Sequence, residues 1–254
     1  VSSARGVPSF GLGTLFGSNV ADLTLVFVIL IFSTRREIRV GSKILENNRW
    51  YPALLALPIF FGLDGYYSRS DGVILVASGL LFYVWILKRN HRGFAAPEAR
   101  HRPPLRNFLY LLLSMAALLW GASLTVRYGV VLAELAHISP ALIGMLIVGL
   151  GTTLPELFFS LRAVKKRGDE LALGDVLGTV ISDATIVVGL LALADPFFFP
   201  KKIVYSTAVF MVIASLMLFS FLRSGRRLTK KEGVILFLFY IIFVLVEYWV
   251  NVIV

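Results

Sequence analysis

The sequence predicts an all-α, polytopic membrane protein with about eight transmembrane helices. Three observations carry this reading: long apolar runs, basic residues gathered on one side, and a motif that recurs once at a fixed offset. Of the 254 residues, 57% are hydrophobic and the mean hydropathy is +0.82. A soluble domain sits near roughly 45–50% apolar, so lipid is the expected solvent for much of the surface.

A spanning helix needs about 20 apolar residues. Apolar segments fall near 10–33, 50–63, 72–87, 107–135, 138–161, 171–195, 203–222 and 234–254. The second and third are short and either cross twice or form a re-entrant pair. In both cases the orientation of the other segments is the same.

Twenty of the 25 lysines and arginines then fall on one side, in connections carrying Arg35 to Arg49, Lys88 to Arg106, Arg162 to Arg167 and Arg223 to Lys231. The other side holds Arg5, Arg69, Lys201 and Lys202, with Arg127 inside a span. Lys/Arg excess marks cytoplasmic loops, so the basic side is expected inside and both chain ends outside. Cysteines placed at Ala95 and Lys166 should therefore resist impermeant thiol reagents added outside intact cells, and labelling of either would reverse the orientation. The stretch 89–106, with Pro97, Pro103 and Pro104 among basic residues, reads as a solvated linker. It divides the chain into residues 1–88 and 107–254.

The motif Gly13-Thr-Leu-Phe-Gly17-Ser-Asn-Val-Ala-Asp22-Leu-Thr24 recurs as Gly174-Asp-Val-Leu-Gly178-Thr-Val-Ile-Ser-Asp183-Ala-Thr185. One offset of 161 aligns both glycines, the aspartate and the threonine, and sets Ser18 on Thr179. The charge pattern gives the two copies opposite orientation. Inverted repeats build secondary transporters, whose ion sites lie near the bilayer midplane at the repeat interface.

The strongest local signal is Gly151-Thr152-Thr153-Leu154-Pro155-Glu156 inside a span. Proline lacks an N–H and its ring clashes with the carbonyl four residues back, so the Gly151 carbonyl loses its helical partner. In lipid such a group must be satisfied otherwise. Thr152, Thr153 and Glu156 share a helix face. They offer hydroxyl, carbonyl and carboxylate oxygens, the donors that a hard cation prefers. Ser18 with Asp22, and Thr179 with Asp183, repeat the pattern of a hydroxyl one turn from a carboxylate. Gly17 and Gly178 beside them permit close backbone approach. A kinked helix or a lone intramembrane acid is often only structural. Three acids in broken or glycine-bearing helices related by a repeat, each costing at least a few kcal/mol at mid-membrane, point instead to an ion site. Asp175 suits an entry site, a partner to a ligand, or a helix cap. Arg127 and Glu134 suit a structural intrahelical or snorkelling pair. Asp64 and Asp71 read as solvated loop residues.

With no cysteine, disulfides and Cys-type zinc sites are excluded, and His91, His101 and His137 have no ligand spacing. The net charge of +10 follows from topology and calls for no nucleic acid. No nucleophile–base pair or metal triad surrounds Glu156, so an enzyme is not expected. A channel would need a continuous polar path that the segments do not show.

At this point the residues resemble a known family. Gly151-Thr-Thr-Leu-Pro-Glu-Leu followed by Leu171-Ala-Leu-Gly-Asp-Val-Leu-Gly-Thr is similar to the second alpha-repeat of the sodium/calcium exchanger family. Gly13-Thr-Leu-Phe-Gly-Ser-Asn-Val-Ala-Asp resembles the end of the first, and Ile138-Ser-Pro-Ala-Leu-Ile-Gly144 the lead-in to the second. The resemblance implies a ten-helix fold of two inverted five-helix repeats, with alternating access by rocking of a two-helix gating bundle. It implies a multi-pass protein of the cell (inner or plasma) membrane that exchanges calcium for sodium, with no cofactor beyond the transported ions. Inorganic cations and the lipid bilayer would be its partners. Carried over by position, Glu156 and Asp183 would be principal ligands. Thr152, Thr153 and Thr179 would supply hydroxyl or carbonyl oxygens, Gly149 a carbonyl, and Ser18 and Asp22 the contribution of the first repeat. Asp175 stands where the family shows Asn, and Thr179-Val180 where it shows Ser-Asn. These departures keep a proton- or potassium-coupled calcium/cation exchanger open as the alternative. The counterpart of Glu156 at the repeat offset falls five residues before position 0, and Val1-Ser-Ser-Ala-Arg resembles the tail of a kinked helix. The expectation is a fragment lacking the first two helices; the alternatives are that such a fragment is inactive in transport, and that the chain is a genuine eight-helix protein.

Overall fold

A computed structural model describes residues 2, 6–34, 36–39, 41, 50–89 and 104–252. Residues 90–103 of the expected linker, most of the expected helix tail at 1–5, and Arg35, Lys43 and Arg49 lie outside the described residues.

Eight helices coincide with the eight apolar segments: α1 (Pro8–Ser33), α2 (Tyr51–Phe61), α3 (Arg69–Arg89), α4 (Pro104–Leu135), α5 (Pro140–Lys165), α6 (Asp169–Ala194), α7 (Lys201–Gly225) and α8 (Lys230–Val252). All but α2 are long and apolar enough to cross a membrane. At 1.5 Å per residue, the 11 residues of α2 give only about 16 Å. Helix starts follow the sequence. Pro8 and Pro140 occupy first-turn positions where a missing N–H costs nothing. The Ser139 hydroxyl caps α5 through the Leu142 N–H at 3.2 Å. Asp169 and Glu170 lie at the positive start of α6, and Arg162 and Lys165 at the negative end of α5.

Two short antiparallel ribbons clasp the bundle. β1 (Ile38–Arg39) pairs with β4 (Arg227–Leu228) at one end, and β2 (Tyr66–Tyr67) with β3 (Phe197–Phe198) at the other. The β1–β4 end carries the basic turn Arg223 to Lys231. Tyr51 packs on Phe219 of α7 with ring centroids 4.8 Å apart, while Tyr67 bonds the Pro58 carbonyl at 2.6 Å. Thus α2 heads away from the basic end, from beside Phe219 towards the β2–β3 ribbon, and α3 returns, so the two are antiparallel neighbours.

The repeat extends well beyond its twelve-residue motif. The helical stretches Pro8–Ala21 and Asp169–Ser182, the π-helical turns Asp22–Val26 and Asp183–Val187, and the stretches Phe27–Ser33 and Val188–Ala194 all coincide at an offset of 161. So do β2 and β4, and the caps at the starts of α3 and α8. In those caps Asp71 accepts the Ser68 N–H at 2.8 Å, and Glu232 the Thr229 N–H at 2.7 Å. Asp71 is therefore a helix cap rather than a solvated loop acid, and Asp64 likewise holds its turn by accepting the Tyr66 N–H at 3.0 Å. The copies run in opposite directions. Arg36, just past the end of α1, grips Asp169 at the start of α6 in a two-pronged pair of 2.6 and 2.7 Å. Its guanidinium also donates to the Val164 carbonyl, and the Arg39 N–H donates to Asp169.

Burial divides the helices. Of the most apolar window, 78% is buried in α1 and 6% in α4. α1 is the axis of the bundle and α4 lies at its edge. Arg127 and Glu134 on α4 form no ion pair among the described residues; Arg127 instead sits 5.8 Å over the Tyr128 ring. Seven residues put the two on one face but about 10 Å apart along the axis, too far for direct contact.

Candidate cation site

α1 and α5 touch backbone to backbone, and their glycines are the cause. A Cβ on Gly17 would run into the Met145 backbone, one on Gly13 into the Ala141 carbonyl, and one on Gly144 into the Phe10 carbonyl. One on Gly149 would stand 3.0 Å from the Ser18 nitrogen. This crossing brings Ser18 and Asp22 beside the broken part of α5.

The break is where the proline demands it. α5 is interrupted at Thr153, and the helix restarts at Leu154 with Pro155 in its first turn. The Thr152 and Thr153 hydroxyls donate to the Gly149 and Leu150 carbonyls, both at 2.9 Å, and Ser18 donates to the Leu15 carbonyl at 3.0 Å. A hydroxyl that spends its proton on its own helix keeps its lone pairs for a cation. Thr153 is buried, whereas Thr152 is exposed. Adjacent residues turn by about 100° on a helix, so only one of the two hydroxyls is directed into the bundle.

Asp22 and Asp183 each open a π-helical turn. In both, the threonine two residues on, Thr24 or Thr185, bonds the carbonyl four residues back, at 2.5 and 2.6 Å. The Asp-x-Thr spacing was the available signal for these turns, which the sequence reading missed; π-turns recur at functional sites.

The structure gathers four acids. Asp22, only 1% exposed, lies within electrostatic reach of Glu156, Asp183 and Asp175. Ser18 lies within hydrogen-bonding reach of Asp183, and Ser160 of Asp175. Asp22 Oδ1, Glu156 Oε2 and Asp175 Oδ2 are buried oxygens with no hydrogen-bond partner, and none of the four acids has an ion-pair partner among the described residues. Among those residues no three acidic or histidine side chains converge tightly enough to hold a metal by themselves. A cation here would need the hydroxyls and carbonyls as well. Thr179 is half-buried one turn before Asp183, and the Gly149 carbonyl already accepts from Thr152.

Two residues absent from the sequence reading border the cluster. Tyr83 of α3 donates to the Gly178 carbonyl at 2.7 Å, and Tyr51 is fully buried within reach of Asp22 and Asp183. Both are tyrosines in apolar spans, whose hydroxyls need partners in lipid. That requirement could have flagged them.

The cluster is sheltered unevenly. The α1 side is sealed by the glycine crossing. On the other side Gly151, Thr152 and Pro155 form an exposed strip, and a Cβ on Gly151 or Gly174 would meet nothing within 4 Å.

Comparison with known proteins agrees with this architecture. The sequence model of the sodium/calcium exchanger protein family matches residues 106–249. The sodium/calcium exchanger MaX1 of Methanosarcina acetivorans is 32% identical over 145 residues, 57% of this chain and 41% of that protein. The putative antiporter CaxA of Alkalimonas amylolytica is 29% identical over 248 residues, 91% of this chain and 76% of that protein. A solved structure of the sodium-calcium exchanger NCX_Mj, soaked with sodium and strontium, superposes with a TM-score of 0.69 at 26% identity, covering 95% of this chain and 78% of that one. Helix for helix and over more than half its length in sequence, the chain belongs to the sodium/calcium exchanger protein family.

Proposed function

We propose that the chain carries the cation-binding core of a secondary active antiporter that exchanges calcium for sodium by alternating access. The observation that supports this most is a cluster of four carboxylates, three of them at or beside helix irregularities, with no counter-charge among the described residues. Buried charge of one sign is costly unless paired, and a transported cation supplies the pairing. In this reading Glu156 and Asp183 are the principal ligands and Asp22 the contribution of the opposed copy. Ser18, Thr153 and Thr179 complete the shell with the Gly149 carbonyl, and Thr152 contributes from the exposed strip. Asp175 serves as a secondary acid beside Glu156. A calcium ion takes about 6–8 oxygens at roughly 2.3–2.6 Å, more than the carboxylates alone provide. Residues up to 88 and residues 107–254 act as the two repeats, joined by the 89–106 linker. The protein sits in the cell membrane with its basic end inside.

Sodium coupling is supported by the names of MaX1 and NCX_Mj. A proton- or potassium-coupled calcium/cation exchanger remains the second reading because Asp175 stands as an extra acid beside Glu156. In proteoliposomes, an imposed sodium gradient should drive calcium in the opposite direction. The measurement is made on this chain and on the product of the open reading frame that contains it. Calcium flux driven by a pH gradient alone would move the assignment to the proton-coupled alternative, and flux driven by neither gradient would sink the antiporter reading.

A further inference from the structure

Between α2 and α3 lies a lipid-facing groove of about 370 Å³ whose lining includes none of the four acids. Trp50 and Trp85 flank it at the basic end of the bundle, and Leu54, Leu57, Leu81 and Phe82 line its walls. Its one hydroxyl, Ser78, donates to the Leu75 carbonyl at 2.7 Å and offers the groove no free proton. From Trp50 to Leu57 on one wall, and from Trp85 to Ser78 on the other, seven residues correspond to about 10 Å of depth. The groove thus descends from an aromatic rim into hydrocarbon, with tryptophans at the level where such rings mark the membrane interface. α2 is too short to cover the hydrocarbon thickness alone, and a short element is accommodated by lipid adjusting around it. Lys88 lies three residues beyond Trp85, on the same helix face, exposed and without an ion pair among the described residues.

We propose that this groove is a binding site for one anionic phospholipid of the leaflet at the basic end, with an acyl chain between Trp50 and Trp85 and the phosphate head against Lys88. The apolar walls select a hydrocarbon chain over a polar ligand. The ammonium at the rim selects negative head groups, worth about fivefold in affinity for one lysine near a membrane surface. The proposal is independent of the transported ion.

The test uses tryptophan fluorescence. Trp120 and Trp249 are also lipid-exposed, so both are replaced by phenylalanine, leaving Trp50 and Trp85 as reporters. The protein is placed in bilayers containing phosphatidylglycerol or phosphatidylcholine brominated along the acyl chain. The expected result is quenching by both lipids, with about fivefold tighter competition from brominated phosphatidylglycerol. Lys88→Gln should erase that preference while leaving phosphatidylcholine quenching unchanged. Ala53→Trp, which fills the groove, is read by lipid retained through detergent exchange and should lower bound phosphatidylglycerol. Equal competition by the two lipids in the parent, or a preference that survives Lys88→Gln, overturns the proposal. A thermal melt equal to the parent's identifies a folded variant. If Lys88→Gln melts lower, Lys88→Arg, which must keep the preference, decides in its place.

Discussion

Replacing Glu156 by glutamine should abolish calcium transport and leave the protein folded. Glu156 has a buried carboxylate oxygen without a partner and lies among Asp22, Asp175 and Asp183. Glutamine keeps the shape and removes the charge. Loss of an outer partner of a metal ligand costs 10–100-fold, so loss of a ligand charge itself should cost at least about 100-fold in calcium uptake. Stability should move the other way. Removing one of four like charges relieves repulsion, and the cation-free Glu156→Gln protein should melt at or above the parent temperature. Thr152→Ser, which keeps the oxygen, should be much milder. If the parent chain itself transports nothing, calcium binding still reports, because a ligand that binds only the folded state raises the melting temperature. That rise should be absent in Glu156→Gln. A variant that transports and binds calcium like the parent removes Glu156 from the site.

The second large effect is expected at Gly17. A methyl there meets the Met145 backbone, which cannot swing aside as a side-chain tip can. Overpacking of this kind costs about 1–3 kcal/mol. Here it also pushes α1 from α5, separating Asp22 from Glu156. Gly178 occupies the same place in the second copy, yet the nearest atom to its Cβ is the Tyr83 hydroxyl at 3.8 Å, ordinary contact distance. In this chain, Gly17→Ala should lower the melting temperature and weaken calcium binding together. Gly178→Ala should leave both near the parent values, helped by the better helix propensity of alanine. Equal behaviour of the two variants would mean that the glycine crossing does not hold the site together.

Much of the fold was legible because its causes are local. Twenty-residue apolar runs and the basic connections between them are written in contiguous residues, whereas the Ser68–Asp71 cap was missed and appeared only with the Ser68 N–H pointed at Asp71. The break at Thr153 followed from Pro155 alone. The repeat was visible only where glycine and aspartate are irreplaceable. Elsewhere the copies keep their geometry through different apolar residues, as when Tyr66–Tyr67 and Arg227–Leu228 form equivalent strands. The grouping of Asp22 with Glu156 could be expected from the inverted repeat, but the crossing that causes it depends on Gly13 and Gly17 letting α1 reach Ala141 and Met145, and on Gly144 and Gly149 letting α5 reach Phe10 and Ser18, across more than a hundred residues. Likewise the orientation of Thr152 away from the bundle depends on which neighbours α5 finds. Tyr51 and Tyr83 were missed although a hydroxyl in an apolar run signals a polar neighbourhood; that the neighbourhood is the acid cluster is set by packing between distant helices.

The ribbons β1–β4 and β2–β3 bear on how such a chain is made. Each joins strands from opposite copies, with Ile38 waiting for Leu228 and Tyr66 for Phe198. During synthesis α1 enters the bilayer long before α5, α7 and α8, which bury it, have left the ribosome. For that interval Ser18, Asn19, Asp22 and Thr24, all buried in the finished protein, face lipid or one another. A central aspartate alone costs a few kcal/mol on insertion scales, so Asp22 weakens the insertion of an otherwise strongly apolar segment. Its retention rests on Phe16, Leu23, Phe27 and their apolar neighbours. Burial of α1 therefore waits on partners far along the chain, and partly assembled forms expose its polar face: of the helices described, α1 enters the bilayer early and reaches its native surroundings late.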